Sequence, residues 1–224
     1  MTADELDALR AEQAAYYGAR AAEYDATSPI PADDASRATL VDALGVFAPH
    51  RGGRVFEFAC GTGEWTATLA NHASELTAID ASPEMLRSHP SASETTTFAS
   101  SRLTSSTGGP TGATTWCSPA PGSRTSRLDT SIASGALVAE CLDETGRVFL
   151  IDELPSVEAH EQVIPDAVAP VVERPLRSGA RYRVVKGFHR PAELSRRLAA
   201  LGWTISAHPV GWRFFYATAS RAPS

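Results

Sequence analysis

Between Val55 and Trp65 the chain runs Val-Phe-Glu-Phe-Ala-Cys-Gly-Thr-Gly-Glu-Trp, an apolar strand that enters a glycine turn and leaves it as a helix. This pattern constrains the fold more than any other part of the sequence. Gly61 and Gly63 let the backbone turn tightly and approach a ligand, where a side chain would collide or forbid a positive φ. A second strand, Leu76 to Ile79, ends at Asp80. An acid at the tip of the neighbouring strand can accept a hydrogen bond from each of two vicinal hydroxyls, as a ribose presents them.

Gly-x-Gly after a strand also occurs in nicotinamide and flavin enzymes, so a nicotinamide-dependent oxidoreductase is one reading. The dinucleotide fingerprint, however, asks for a third small residue three positions after Gly63, where Thr66 stands. Asp80 also reads as a plain helix-start acid ahead of Ser82 and Pro83. Glu57 reads either as a ligand contact or as a strand-end carboxylate facing solvent. Cys60 is a small, soft filler of the turn and not a nucleophile, because no positioned histidine follows it.

Glu57, Ala59, Cys60, Gly61, Thr62, Gly63 and Trp65, followed by Asp80, Ala81, Ser82, Pro83, Glu84, Met85 and Leu86, resemble the first two motifs of class I S-adenosylmethionine-dependent methyltransferases. The resemblance extends upstream through Tyr16, Tyr17, Arg20, Ala21, Glu23, Tyr24 and Asp25, and downstream through Gly146 to Asp152. It implies S-adenosyl-L-methionine as cofactor and methyl transfer to a small-molecule acceptor by direct displacement, with no acid–base residue strictly required. It also implies roles for residues. Gly61 and Gly63 would shape the loop under the methionine end, Glu57 would lie near the ammonium, Asp80 would hold the ribose, and Ala81 and Met85 would border the adenine. Tyr16, Arg20 and Tyr24 would close the N-terminal helix over the cofactor as a lid, Arg20 near the carboxylate. His160, His189 and Trp212 are available to line the acceptor pocket, although nothing in their spacing requires it. A defective, non-catalytic methyltransferase-like protein is the remaining alternative.

A chain of 224 residues, 43% hydrophobic, can bury a core of ordinary size as one domain. Its net charge of -6 argues against a nucleic-acid backbone as partner, since no basic stripe is present to neutralise phosphates. No apolar run is long enough to span a membrane, and the acidic start does not read as a signal peptide, so the expected compartment is the cytoplasm. Cys60, Cys117 and Cys141 are too scattered for a disulfide scaffold or metal cluster.

Periodicity predicts an amphipathic helix over Ala3 to Tyr24, a second over Ala35 to Phe47, and further helices over Glu64 to Ala70, from Ser82, over Ala136 to Leu142 and over Pro191 to Leu201 with Gly202 as its stop. Predicted strands include Arg147 to Ile151 and Tyr182 to Val185, and Thr204 to Pro209 with Trp212 to Ala219 reads as a terminal hairpin. Alternating strands and helices imply an α/β fold: a Rossmann-like, doubly wound, mostly parallel sheet with a C-terminal antiparallel hairpin. Residues 1–30 form the expected lid helix and residues 31–224 a single domain.

Residues 88–135 break the order. The stretch is dominated by Ser and Thr and reads as irregular where the third and fourth strands belong. Re-reading each codon one base earlier lets Thr107 to Ser118 encode WRPDRRYDVVFS, the second Val being forced by the Trp116 and Cys117 codons. The same shift turns the stretch that begins at Ser123 and runs past Ser126 into LSHVP. Both peptides resemble the fourth-strand region of these methyltransferases, which suggests two compensating frameshifts, one between about Arg87 and Thr97 and one near Gly135. The alternative is a natural Ser/Thr-rich insertion.

Overall fold

The computed structural model describes residues 3–27, 35–47, 53–88, 96–99, 113–117, 138, 141–142, 145–155, 162–164, 171–186 and 189–222. Helix α1 (Ala3–Arg20) runs into two single 3-10 turns, Ala21–Glu23 and Asp25–Thr27. There follow α2 (Ala35–Phe47), β1 (Gly53–Phe58), α3 (Thr66–Ala70), β2 (Ala73–Ile79), α4 (Pro83–Arg87), β3 (Thr96–Ala99), β4 (Ala113–Cys117) and β5 (Arg147–Glu153). The C-terminal part holds β6 (Gln162–Val163), β7 (Val171–Pro175), β8 (Arg181–Val185), α5 (Pro191–Ala199), β9 (Trp203–Val210) and β10 (Phe214–Arg221).

The main sheet has seven strands in the order β3-β2-β1-β4-β5-β10-β9. Its first five are parallel, and β10 and β9 add an antiparallel hairpin. After β3 the chain returns to the other side of β1 to form β4, so the carboxyl ends of β1 and β4 flank a topological switch point, where α/β sheets open a ligand crevice. β1 carries apolar side chains on both faces because both are covered. Val55 of β1 and Phe149 and Ile151 of β5 pack beneath α2 and α3 with Leu40, Leu44, Trp65 and Leu69. Phe56 faces the other way, onto Ile79 and Phe58. At the hairpin end, Leu198 of α5 packs against Trp203 and Ala219.

Thr96–Ala99 and Ala113–Cys117 are strands of this sheet, which corrects the expectation that residues 88–135 as written lack the third and fourth strands. β4 pairs with both β1 and β5, and backbone hydrogen bonding supplies that pairing whatever the side chains. The rest of that stretch beyond Ser88 lies outside the described residues, as does most of the predicted helix over 136–142.

A feature the periodicity did not reveal is the separate three-stranded antiparallel sheet, β6-β7-β8, inserted between β5 and α5. It is short and amphipathic, so only Tyr182 to Val185 stood out. α1 lies along its edge and satisfies it: Arg183 N donates to Glu12 Oε1 at 2.6 Å and Val185 N to Gln13 Oε1 at 3.2 Å. Two side chains of a helix thus stand in for a neighbouring strand and close an edge that would otherwise be open. Leu9 packs on Val171 and Val185, and Tyr16, Tyr17, Ala21 and Tyr24 pack on Val172, Val184 and Met85. The same helix comes down closely on α4, where a Cβ on Gly18 would meet Glu84 Oε2 at 3.1 Å.

Candidate cofactor site

The glycine turn is built by three residues in the left-handed region: Ala59 at φ 54°, Gly61 at 59° and Gly63 at 91°. Glycine adopts this conformation freely, while Ala59 is held there at a cost. A Cβ placed on Gly61 would meet no protein atom within 4 Å, so this face of the turn is open to a ligand. Cys60 N donates to Ile79 O at 3.0 Å and Gly63 N to Cys60 O at 2.9 Å, which anchors the turn to the end of β2.

Asp80 completes the anchor. Its Oδ2 accepts from Gly61 N at 2.9 Å and its Oδ1 from Ser82 N at 2.8 Å. One carboxylate therefore couples the glycine turn to the start of α4, whose N-cap Ser82 accepts from Met85 N. Burial pushes the Asp80 carboxyl above its usual range, against the opposing pull of the backbone N–H groups of Ser82, Gly61 and Ala81. Each carboxylate oxygen keeps a second lone pair for a ligand hydroxyl. Ala81, beside it, is exposed.

Three of the expected cofactor residues are buried in the packing around the turn. Glu57 is 0% exposed, and its Oε2 accepts from Thr66 Oγ1 at 2.6 Å, so it braces the turn from below by tying β1 to α3. Trp65 belongs to the main core, with the Arg37 guanidinium 5.2 Å from its ring centre. Met85 is buried among the tyrosines of α1 and the valines of the inserted sheet. All three are motif neighbours whose packing holds the loop, a distinction that sequence spacing cannot make. Cys60 is buried, and burial first, then the charges of Glu57 and Asp80, push its thiol up, as befits an inert filler.

The N-terminal segment closes over the turn. Thr62 Oγ1 donates to Asp25 Oδ1 at 2.5 Å. Arg20 donates to Tyr16 Oη at 3.1 Å and to Thr27 O and Oγ1 at 3.2 and 3.1 Å, and its guanidinium lies 4.8 Å from the Tyr24 ring centre. Burial pushes the Tyr24 phenol up, and the group also feels the charges of Arg20, Glu64 and Asp80. The pairing of Asp25 with Thr62 went unread because neither residue is distinctive away from the other.

Beyond the turn, at the carboxyl end of β5, Glu153 is buried between two cations. Lys186 Nζ lies 2.5 Å from its Oε2, and Arg213 places Nε and Nη2 at 2.9 and 2.7 Å from its Oε1. This triad joins the inserted sheet and the β9–β10 turn to the main sheet. Asp152 is also buried there, its Oδ1 accepting from Glu153 N. His189 is half-buried, Trp212 is 61% exposed in the β9–β10 turn, and His160 lies outside the described residues. Among the described residues no helix is long and apolar enough to cross a membrane, and no three His, Cys, Asp or Glu residues are grouped to hold a metal ion.

The family model for a methyltransferase domain matches residues 55–104, the segment that carries the glycine turn and Asp80. Two solved structures are similar over nearly their whole length. One is DhpI in complex with SAM and HEP, 31% identical, with 94% of this chain and 97% of that one covered and a TM-score of 0.75. The other is DhpI in complex with SAH, 29% identical, covering 96% and 98%, with a TM-score of 0.73. The CcbJ methyltransferase from Streptomyces caelestis shares the fold at 17% identity, covering 92% and 98%, with a TM-score of 0.63. Comparison with curated protein sequences finds no match. Thr66 in place of the third small residue, Asp80 on the second strand and the near-full-length likeness to DhpI displace the nicotinamide reading, and the chain belongs to the class I S-adenosylmethionine-dependent methyltransferases.

Proposed function

We propose that this protein transfers a methyl group from S-adenosylmethionine to a small-molecule acceptor that enters beneath the roof made by the lid helix and the inserted sheet together. The observation that carries this reading is the placement of α1, which is docked on the inserted sheet through Glu12 and Gln13 and latched to the glycine turn through Asp25 and Thr62. A roof over the cofactor turn favours a compact acceptor over a polymer. DhpI holds SAM and HEP together, which supports a small acceptor for this chain as well.

Bound S-adenosylmethionine supplies a methyl already activated by positive sulfur, so the work left to the protein is orientation and exclusion of water. Gly61 and Gly63 give the backbone the close approach needed under the amino-acid end. Asp80 is placed to accept from the ribose hydroxyls, Arg20 to face the carboxylate once it turns from Thr27, and Ala81 to border the adenine. Residues 1–30 act as the lid of a single domain.

Calorimetry with S-adenosylhomocysteine tests the cofactor site, with micromolar binding expected. Incubation with S-adenosylmethionine and HEP, followed by mass spectrometry for the methylated product, tests the acceptor class. Binding without transfer to HEP or to other small molecules would overturn the acceptor reading and leave the cofactor assignment standing.

A further inference from the structure

Among the described residues, one buried polar atom of the lid has no use in the scheme above. Tyr17 is 7% exposed, and its hydroxyl is fully buried with no hydrogen-bond partner. Its neighbour Tyr16 shows what a satisfied phenol looks like at this place: the Tyr16 hydroxyl accepts from Arg20, and the two rings meet edge-on with centres 5.0 Å apart. Burying a hydroxyl without a partner costs the full desolvation of that group, so native proteins seldom keep one without a reason.

The surroundings supply the reason. Tyr17 sits between the valines of β7 and β8 on one side and Met85 of α4 on the other, under the inserted sheet. Burial dominates its electrostatic setting, and the charged or ionisable groups that reach it are Arg174 of β7, Tyr24, Tyr16 and Arg20. Tyr24 in turn feels Glu64 and Asp80 of the cofactor loops. By its packing Tyr17 lies in the layer between α4, which follows Asp80, and the inserted sheet, under the roof that the proposed function gives to the acceptor. A phenol kept neutral by burial is a hydrogen-bond donor at every physiological pH.

We propose that the Tyr17 hydroxyl is a specificity-determining donor for the methyl acceptor, and that the acceptor is a polar molecule presenting an oxygen or nitrogen lone pair away from the atom that is methylated. This deepens the proposed function and rests on it. A site built around an unpaired donor accepts a ligand carrying the matching lone pair and rejects the analogue that lacks it, because the donor then stays unpaired.

The test uses Tyr17→Phe and Tyr16→Phe in the full chain. Without ligand, Tyr17→Phe should unfold at a temperature higher by roughly 2–4 °C, since it removes an unsatisfied group, while Tyr16→Phe should be less stable than the parent. S-adenosylhomocysteine affinity should be unchanged in Tyr17→Phe. With HEP as acceptor, KM should rise about tenfold or more with kcat little changed. A less stable Tyr17→Phe would mean that the hydroxyl already has a partner and would overturn the proposal. Weaker S-adenosylhomocysteine binding would assign the hydroxyl to the cofactor and overturn it equally, as would an unchanged KM. A parent that binds S-adenosylhomocysteine but methylates neither HEP nor other small molecules overturns the acceptor reading itself, a separate outcome from any difference between the variants.

Discussion

Thr62 in the glycine turn and Asp25 in the segment that follows α1 are joined by a 2.5 Å hydrogen bond, and this is the direct polar link between lid and cofactor loop. The link ties the N-terminal segment to a turn that is itself anchored by Asp80. Removing it by Asp25→Ala or Thr62→Val should weaken S-adenosylhomocysteine by about 1 kcal/mol, roughly fivefold, the usual worth of one partly exposed hydrogen bond. Calorimetry checks this, and equal losses in the two variants with no further loss in the double variant would establish that they share one interaction.

Ala59 is the one non-glycine residue among the described positions with positive φ. An L-residue there is strained by about 1–2 kcal/mol, while glycine loses more unfolded-state entropy, about 0.4–1 kcal/mol. Ala59→Gly should therefore be stabilising by roughly 0.5 kcal/mol, and Ala59→Val, whose β-branch is excluded from this region, destabilising by more than about 2 kcal/mol. Urea denaturation of the two variants measures both signs, and a destabilised Ala59→Gly would remove strain as the description of this turn.

The sequence made the strand–turn–helix, Asp80 and the parallel sheet legible because each is a local pattern: an apolar run, a glycine pair, an acid at a strand tip. The packing of Glu57, Trp65 and Met85 was not legible, since a motif records which residues keep company and not which neighbours each of them touches. Glu57 turns down to Thr66 and Met85 up to Tyr17, and only packing decides between these and the pocket. The inserted sheet was missed for a different reason. Its edge is completed by Glu12 and Gln13, more than a hundred and fifty positions away in the chain, and no window of local sequence contains that pairing.

Asp80 gives a pH dependence with two opposite signs. Its native carboxyl titrates above the usual 3.8 because burial disfavours the charge. In the ligand-free protein its contribution to folding is therefore fully present below the unfolded value and is lost as pH rises through the raised native value. Cofactor binding runs the other way, because the ionised carboxylate is the better acceptor for ribose hydroxyls. S-adenosylhomocysteine affinity should fall as pH drops through the native value, by up to tenfold per unit. Asp80→Asn should abolish that dependence and weaken binding at pH 7 by about 1.5–3 kcal/mol. A wild-type affinity profile in Asp80→Asn would reduce Asp80 to a helix-start acid.

Glu153 separates two cations, one of them, Lys186, 3% exposed. Glu153→Ala would remove the carboxylate paired with buried Lys186 and should cost about 3–5 kcal/mol, while replacing the buried pair together, Glu153→Leu with Lys186→Met, should recover most of the loss. Arg213, 31% exposed, can turn to solvent in the double variant. Chemical denaturation of the three proteins decides it. Equal destabilisation of single and double variants would show that the pair contributes through its mutual attraction and not by avoiding an orphaned charge.

The last expectation concerns β4, which lies between β1 and β5 in the middle of the sheet. A central parallel strand covered on both faces normally reads as a continuous run of β-branched and aromatic residues. Ala113–Cys117 is written Ala-Thr-Thr-Trp-Cys, whereas the reading frame one base earlier spells Tyr-Asp-Val-Val-Phe across the codons from Ala113 to Ser118. The proposal of a slipped frame predicts that resequencing of the gene finds a single-base insertion and a matching deletion flanking residues 88–135. It further predicts that the restored chain unfolds more cooperatively and at higher denaturant concentration than the chain as written, because β4 then contributes apolar burial as well as backbone pairing. A nucleotide sequence that confirms the written residues, together with a purified protein that folds cooperatively and binds S-adenosylhomocysteine at micromolar concentration, would show that backbone pairing suffices for β4 and that the Ser/Thr-rich stretch is a natural part of this methyltransferase.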